Sequence, residues 1–371
     1  MSRSTRSGPV PAAPVLVVGA GAVGAACASA LARAGLPVLV LGRSDRSTTR
    51  VSGGHLLRQS KVPGRVLALA QRSLELVRRF AAGRETELAY QQCGSLIVAA
   101  DAAEAMRLSL RVEALQAAGA AVEWLDGEQA RLLEPELAPT VTAASYCPED
   151  AQVDPAALAA AWLRDATDRG ARVVGHLPVE ELVCDRSGRL AGVATRSGFQ
   201  PAAAVVLAAG PWSGELARTA GLELGIRPRR GVLLVGKPGR PLTSRPLLGG
   251  GYLEARYGSG VEVAFSLQQH PDGTCILGGC REFVAWDSDP SPQLTEEIVR
   301  LGSCYLPALS EVSWTEVRVG FRPWCERGEP WIGACAVPGL FLACGHEGDG
   351  ISLAAATAER VAAAVTRQFR G

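Results

Sequence analysis

Fully apolar runs appear early in the chain. Residues 15–18 (Val-Leu-Val-Val) and 37–41 carry no polar side chain, and residues 23–34 between them are mostly small and apolar, closed by Gly35. Such runs predict strands buried on both faces, and the run–helix–run order predicts a βαβ unit with parallel strands. The next elements are a helix over 66–80, a strand over 95–99, a helix over 102–117, a strand over 122–125 and a short helix over 127–133. Asp154 and Pro155 suit the N-cap and first position of a helix over 155–169. Strands follow at 172–174, 179–184 and 190–196, and a third fully apolar run at 205–208 leads into Gly210. Residues 229–235, 261–267 and 274–277 are β-rich, with Pro271-Asp272-Gly273 as a hairpin turn. A helix over 296–306, a buried strand over 341–343 and an amphipathic helix over 352–369 complete the pattern. Parallel-sheet texture at the start, middle and end, with antiparallel texture between, predicts two interleaved domains.

The composition narrows the class. The chain has 371 residues, 47% of them hydrophobic, enough for two cores. With 38 basic against 37 acidic residues it has no net field for nucleic acid. Its 42 Gly and 23 Pro are too few for a low-complexity chain. Residues 12–32 are uncharged and long enough to cross a bilayer, but Gly19, Gly21 and Gly24 break them into strand, turn and helix. They read as a buried βα unit, neither a membrane span nor a signal peptide. Residues 1–11 read as a tail. Ten cysteines without a Cys-x-x-Cys pair, and only four histidines, predict no metal site and reduced thiols in a cytoplasm.

Candidate chemistry starts at Gly19-Ala20-Gly21-Ala22-Val23-Gly24, between strand and helix. The first glycine permits the turn, the second lets backbone approach a pyrophosphate, and the third lets the helix pack on the strand. The helix N-terminus favours the anion. An acid near the end of the second strand normally binds the ribose hydroxyls, but Leu41-Gly42-Arg43-Ser44 stands there, with Asp45 next. Arg43 and Ser44 would suit a 2′-phosphate, so the local motif leaves NADP and FAD both open. Further along, the buried strand ends in Ala208-Ala209-Gly210-Pro211-Trp212, small residues that let a large ligand lie against backbone. Gly320-Phe321-Arg322-Pro323 and Ala343-Cys344-Gly345-His346-Glu347-Gly348-Asp349-Gly350-Ile351 follow, the latter another strand–glycine loop–helix.

Together these motifs resemble the D-amino-acid-oxidase-like FAD oxidoreductases, which include glycine oxidase and sarcosine oxidase. The resemblance runs from Val15 to the final helix. Gly94-Ser95-Leu96-Ile97-Val98, Gly278-Gly279-Cys280-Arg281-Glu282-Phe283 and Gly345-His346-Glu347-Gly348 are most similar to a branch with D-hydroxyproline dehydrogenase, hydrogen cyanide synthase and opine oxidase flavin subunits. The fold implied is mixed α/β. A discontinuous Rossmann-like FAD-binding domain (14–88, 146–225 and 318–371) is interleaved with an antiparallel-sheet substrate domain (89–145 and 226–317).

The resemblance also implies residue roles. FAD would contact Gly19, Ala20, Gly21, Val23, Gly24, Arg43 and Ser44, then Ser52, Gly53, Gly54, His55 and Leu56. Val179 matches a backbone position at the adenine. Ala209, Gly210 and Trp212 match a middle flavin contact, and Gly345 to Ile351 (with His346, Glu347, Gly348, Asp349 and Gly350) the loop at the pyrimidine edge. Arg322 would pair with a substrate carboxylate, since its planar fork binds one bidentately. Tyr252 would add a phenol, and His346 would accept a proton or bond the cofactor. Cys325 is a poor match to the covalent flavin attachment of sarcosine oxidases. Two departures stand out: Gly42 replaces the ribose acid, and Arg327 replaces an Asp expected before Gly328.

The implied reaction is oxidation of the C–N bond of a small amino or imino acid, such as D-proline, D-hydroxyproline, glycine or another D-amino acid. Oxygen, an iron–sulfur partner or a quinone would take the electrons, and partner subunits or an oligomer remain open. The rivals are an NADP-dependent reductase and a decayed flavin-bearing scaffold subunit.

Overall fold

A computed structural model describes residues 13–43, 47–256, 258 and 260–370. Their contacts form two units, each discontinuous in sequence. The first is Met1–Thr49, Leu158–Arg227 and Pro323–Gly371; the second is Arg50–Ala157 and Pro228–Arg322. Residues 50–88, 146–157 and 318–322, expected with the cofactor-binding part, cluster in the second unit.

The first unit is built on a six-stranded sheet. Its order is Trp331–Ala334, Leu340–Cys344, Ala204–Leu207, Val15–Val18, Val38–Leu41 and Arg172–Val174. All pairs are parallel except the edge pair of Trp331–Ala334 with Leu340–Cys344. The strands Val15–Val18, Ala204–Leu207 and Leu340–Cys344 are buried throughout, which explains their unbroken apolar sequence. Helix Ala22–Arg33 packs on the C-terminal helix Gly350–Arg370. Its buried face is mostly alanine (Ala22, Ala25, Ala26, Ala28, Ala32), so the two backbones approach closely. Buried Asp165 ties Ser29 (2.6 Å) and Arg33 (2.8 and 2.7 Å) to helix Pro155–Thr167. A three-stranded antiparallel sheet, Val179–Cys184, Leu190–Thr195 and Gly198–Pro201, completes the unit.

The second unit carries an eight-stranded sheet. Its order is Trp314–Cys325, Ile226–Gly236, Cys275–Arg281, Glu262–Gln269, Leu247–Gly249, Ser95–Ala99, Ala143–Cys147 and Glu123–Asp126. From Ile226–Gly236 onward the pairs are antiparallel, except Leu247–Gly249 with Ser95–Ala99. The core gathers Leu96, Val232, Leu234, Phe265, Leu267 and Leu277 against Ile298 and Tyr305 of helix Pro292–Tyr305.

Most expected elements are present within a residue or two. Helix Pro292–Tyr305 starts earlier than 296 because Ser291 caps it, accepting from Leu294 N at 3.3 Å, with Pro292 as its first residue. The sequence reading missed Trp314–Cys325, a strand whose first half is exposed and charged, and Ala143–Cys147, whose small residues lack β-propensity. The Pro271-Asp272-Gly273 turn does join two paired strands.

Candidate active site

In the first unit the glycine turn is fixed by close packing. Gly19 has φ +117°, and a Cβ there would lie 2.2 Å from the Ala208 carbonyl oxygen. A Cβ on Gly24 would lie 1.9 Å from the Gly19 carbonyl oxygen. The helix after the turn has no side-chain cap and no acid in its first turn. The Ala22 N–H donates to Thr49 Oγ1 at 3.0 Å, and helical bonding begins with Ala25 N–H to Gly21 O. The positive end of the helix therefore has no carboxylate within its own first turn.

The parallel register aligns Val18 with Leu207 and Leu207 with Leu342. Three adjacent strands thus end side by side in Gly19, in Ala208–Gly210 and in Gly345. Gly210 has φ +56° and open space where a Cβ would stand. A helix N-terminus beside small-residue strand ends fits a pyrophosphate-bearing dinucleotide. Gly42 explains the missing ribose acid: a Cβ there would meet Ala20 Cβ at 2.8 Å. Arg43 instead lays its guanidinium 5.0 Å from the centre of the Trp212 ring. Ser44 and Asp45 lie outside the described residues. Val179 begins an outer strand of the three-stranded sheet, opposite Thr195.

The C-terminal loop is tightly folded. His346 is buried, and its Nε2 shares a 3.0 Å hydrogen bond with Thr357 Oγ1 of the final helix. Desolvation lowers its imidazole to about 4, against the pull of Asp349. The ring is therefore neutral near pH 7 and ties the loop to the helix. Glu347, Gly348 and Asp349 form a short turn before Gly350 and Ile351 open that helix. Gly345 has φ +78°, and a Cβ there would lie 3.1 Å from Cys325 Cβ. The Cys325 thiol is buried beside the Leu224 carbonyl, and burial raises its pKa, which disfavours the nucleophilic thiolate.

In the second unit, Ser52 and Gly53 lead into Gly54, whose φ is +87° and whose Cβ would lie 2.0 Å from the Val153 carbonyl oxygen. The two-residue strand His55–Leu56 then pairs with Ala151–Gln152. Desolvation, then the charges of Lys61 and His270, lower His55 to about 4, opposed by a hydrogen bond to the Leu267 backbone.

Arg322 sits on the eight-stranded sheet. Its Nη1 donates to the Cys280 carbonyl at 2.8 Å and the Arg230 carbonyl at 3.3 Å. A Cβ on Gly231 would overlap this guanidinium at 2.2–2.6 Å, so only glycine lets it lie flat there. Among the described residues no carboxylate pairs with Arg322. Neighbouring Arg230 differs: it is buried and bound to Glu282 (3.0 Å) and Asp287 (2.9 Å). Tyr252 is held by Arg281, whose guanidinium stands 4.5 Å from its ring centre and donates to its carbonyl at 3.4 Å. Sequence reasoning missed Gly231, for which a glycine inside a strand was the signal, and gave no role to Arg281, which enters it only within the 278–283 motif.

The family model for FAD-dependent oxidoreductases, designated DAO, matches residues 14–364. The chain belongs to this DAO family. A glycine oxidase of Bacillus licheniformis is 27% identical over 357 residues, 94% of this chain and 91% of the relative. The glycine oxidase structure from Geobacillus kaustophilus superposes with a TM-score of 0.84 at 25% identity, covering 95% of this chain and 94% of that one. L-proline dehydrogenase from P. horikoshii gives 0.86 at 23% identity, covering 97% and 95%. The mixed α/β fold with parallel and antiparallel sheets is that of the DAO family. The protein is an FAD-dependent oxidoreductase of the amino-acid-oxidase type, so the NADP reading of Gly42-Arg43-Ser44 falls. Among the described residues no cluster could hold a metal ion, and no helix is long and apolar enough to cross a membrane. All ten cysteines are free thiols.

Proposed function

We propose that the protein oxidises the C–N bond of a small amino or imino acid to an imine, with a proline-like ring amino acid as the leading substrate. The observation that carries this reading is Arg322, a half-buried guanidinium fixed by two carbonyls through Nη1 and paired with no carboxylate among the described residues. Its Nε and Nη2 are the donors for a substrate carboxylate. Bound FAD would supply the two-electron acceptor for the hydride that leaves the substrate α-carbon. Arg322 orients that carbon, and Tyr252, braced by Arg281, adds a phenol to the carboxylate. Neutral His346 keeps the glycine loop on the final helix and carries no charge near pH 7. No general base is required when the amine reacts in its neutral form, so positioning supplies the catalysis.

The glycine turn and helix N-terminus hold the FAD pyrophosphate, with Gly19, Ala20, Gly21, Val23 and Gly24 as the cradle. Arg43 and Ser44 serve the adenosine, Val179 the adenine, and Ala209, Gly210 and Trp212 the middle of the cofactor. Ser52 to Leu56 and Gly345 to Ile351 serve the flavin ring. The glycine oxidase relative supports an amino acid substrate. The resemblance of residues 94–98, 278–283 and 345–348 to the D-hydroxyproline dehydrogenase branch supports the ring amine, with oxygen, an iron–sulfur partner or a quinone as the electron acceptor.

The test is an anaerobic titration of the purified protein with D-proline, followed by its visible spectrum. Bleaching of a flavin band supports the reading, and admitting air then separates oxidase from dehydrogenase. A flavin band that stays unbleached with D-proline, D-hydroxyproline, glycine and sarcosine refutes it.

A further inference from the structure

Gln268 is fully buried on strand Glu262–Gln269, and neither Oε1 nor Nε2 has a hydrogen-bond partner among the described residues. Two other buried glutamines, Gln269 and Gln59, are served by the protein. Gln269 Oε1 accepts from Leu242 N and Thr243 N, and its Nε2 donates to the Gly273 carbonyl. Gln59 donates to Ser95 and accepts from Ser145. A carboxamide left with both ends unmet in the interior is costly, and such a group calls for a partner, whether a ligand, an ion or an ordered water.

The surroundings indicate where that partner belongs. A Cβ on Gly53 would stand 3.4 Å from Gln268 Oε1 and 3.8 Å from His55 Nε2, so glycine leaves a gap bounded by two polar groups. Gln268 also shares a sheet face with Arg322. Ser266 pairs with Gly278, and Gly278 with Leu233. A Cβ on Gly278 would meet the Leu233 and Ser266 side chains at 2.6 and 2.7 Å, so all three use one face. Two residues beyond Ser266 is Gln268; two before Leu233 is Gly231, under the Arg322 guanidinium.

We propose that the Gln268 carboxamide is a cofactor-binding group that hydrogen-bonds the polar edge of the flavin ring. That edge offers what a carboxamide lacks here, an N–H donor flanked by carbonyl acceptors, and one such edge satisfies Oε1 and Nε2 together. The inference rests on the proposed flavin role of Ser52 to Leu56.

The test compares wild type with Gln268→Leu and Gln268→Met. FAD release on dilution of the holoprotein is read by flavin fluorescence, with the 450 nm band recorded alongside. Losing two neutral hydrogen bonds predicts FAD affinity lower by about 10- to 100-fold and a shifted flavin band. Replacing an unmet carboxamide by an apolar side chain of similar size predicts an unfolding midpoint in excess FAD no lower than wild type by more than the lost affinity accounts for. Unchanged affinity and band position overturn the inference and leave an ordered water as the partner. Failure of both variants to fold overturns it as well, by placing the partners of Gln268 inside the protein. A wild-type chain that holds no FAD refutes the cofactor reading itself, a result distinct from either.

Discussion

Replacing Arg322 by alanine removes the group assigned to the substrate carboxylate. The guanidinium lies flat on Gly231, with Nη1 bound to two carbonyls at 2.8 and 3.3 Å. Its remaining face can make a two-pronged contact with a carboxylate. Hydrogen bonds to a charged group are worth about 1.5–3 kcal/mol each, so losing two costs about 3–6 kcal/mol. At about 1.4 kcal/mol per decade, kcat/KM for an amino acid substrate falls roughly 10²- to 10⁴-fold. The structural cost is separate: the Cys280 and Arg230 carbonyls each lose a donor in a half-buried place, which lowers the melting temperature by a few degrees. Arg322→Lys restores one donor but not the fork, so it recovers stability more than kcat/KM. The assay is steady-state turnover at matched flavin occupancy, with an amino acid and with the corresponding amine lacking the carboxylate. The amine should respond to neither substitution. A fall below about tenfold for the amino acid, or equal falls for both compounds, refutes the reasoning.

Three further outcomes follow from the geometry. Gly19→Ala places a methyl 2.2 Å from the Ala208 carbonyl at φ +117°, so it should cost about 2 kcal/mol or more and leave less FAD bound, read as the 450 to 280 nm absorbance ratio. His346 is held at about 4, below the ordinary value near 6.5, so the unfolded chain takes up the proton first as pH falls. The stability conferred by the neutral ring is complete above pH 6.5 and is lost toward pH 4; unfolding free energies from urea titrations at pH 7 and 5 should differ by about 2 kcal/mol more in wild type than in His346→Gln. Burial raises Asp165, but the hydrogen bonds from Arg33 and Ser29 prevail and its carboxyl is net depressed. Its contribution is present above the unfolded carboxylate range and lost as pH falls, so Asp165→Asn should cost about 2–3 kcal/mol at pH 7 and little near pH 3 by thermal unfolding.

The sequence by itself determined the parallel half of the fold and the glycine turn after its first strand. Strands buried on both faces must be apolar at every position, so 15–18, 38–41 and 204–207 are visible one residue at a time. The glycine turn is equally legible, because packing at Gly19 and Gly24 tolerates no side chain. Asp154 was readable as a cap because capping acts over two or three residues, and its Oδ1 accepts from Ala156 and Ala157.

Tertiary structure decided what depends on residues far apart in the chain. Strand Trp314–Cys325 has a half-exposed, charged face, and only its place at the sheet edge makes it a strand. Arg322 is held by carbonyls 42 and 92 residues away and lies over a glycine on another strand. Arg281 braces a tyrosine 29 residues distant. His346 looked free to move a proton, and the fold bonds it to Thr357 and removes its water. Gln268 and Gln269 are adjacent and identical in sequence, but alternation along the strand turns one toward protein partners and leaves the other without any. A local pattern records what each residue type can do; which groups meet is set by long-range strand pairing.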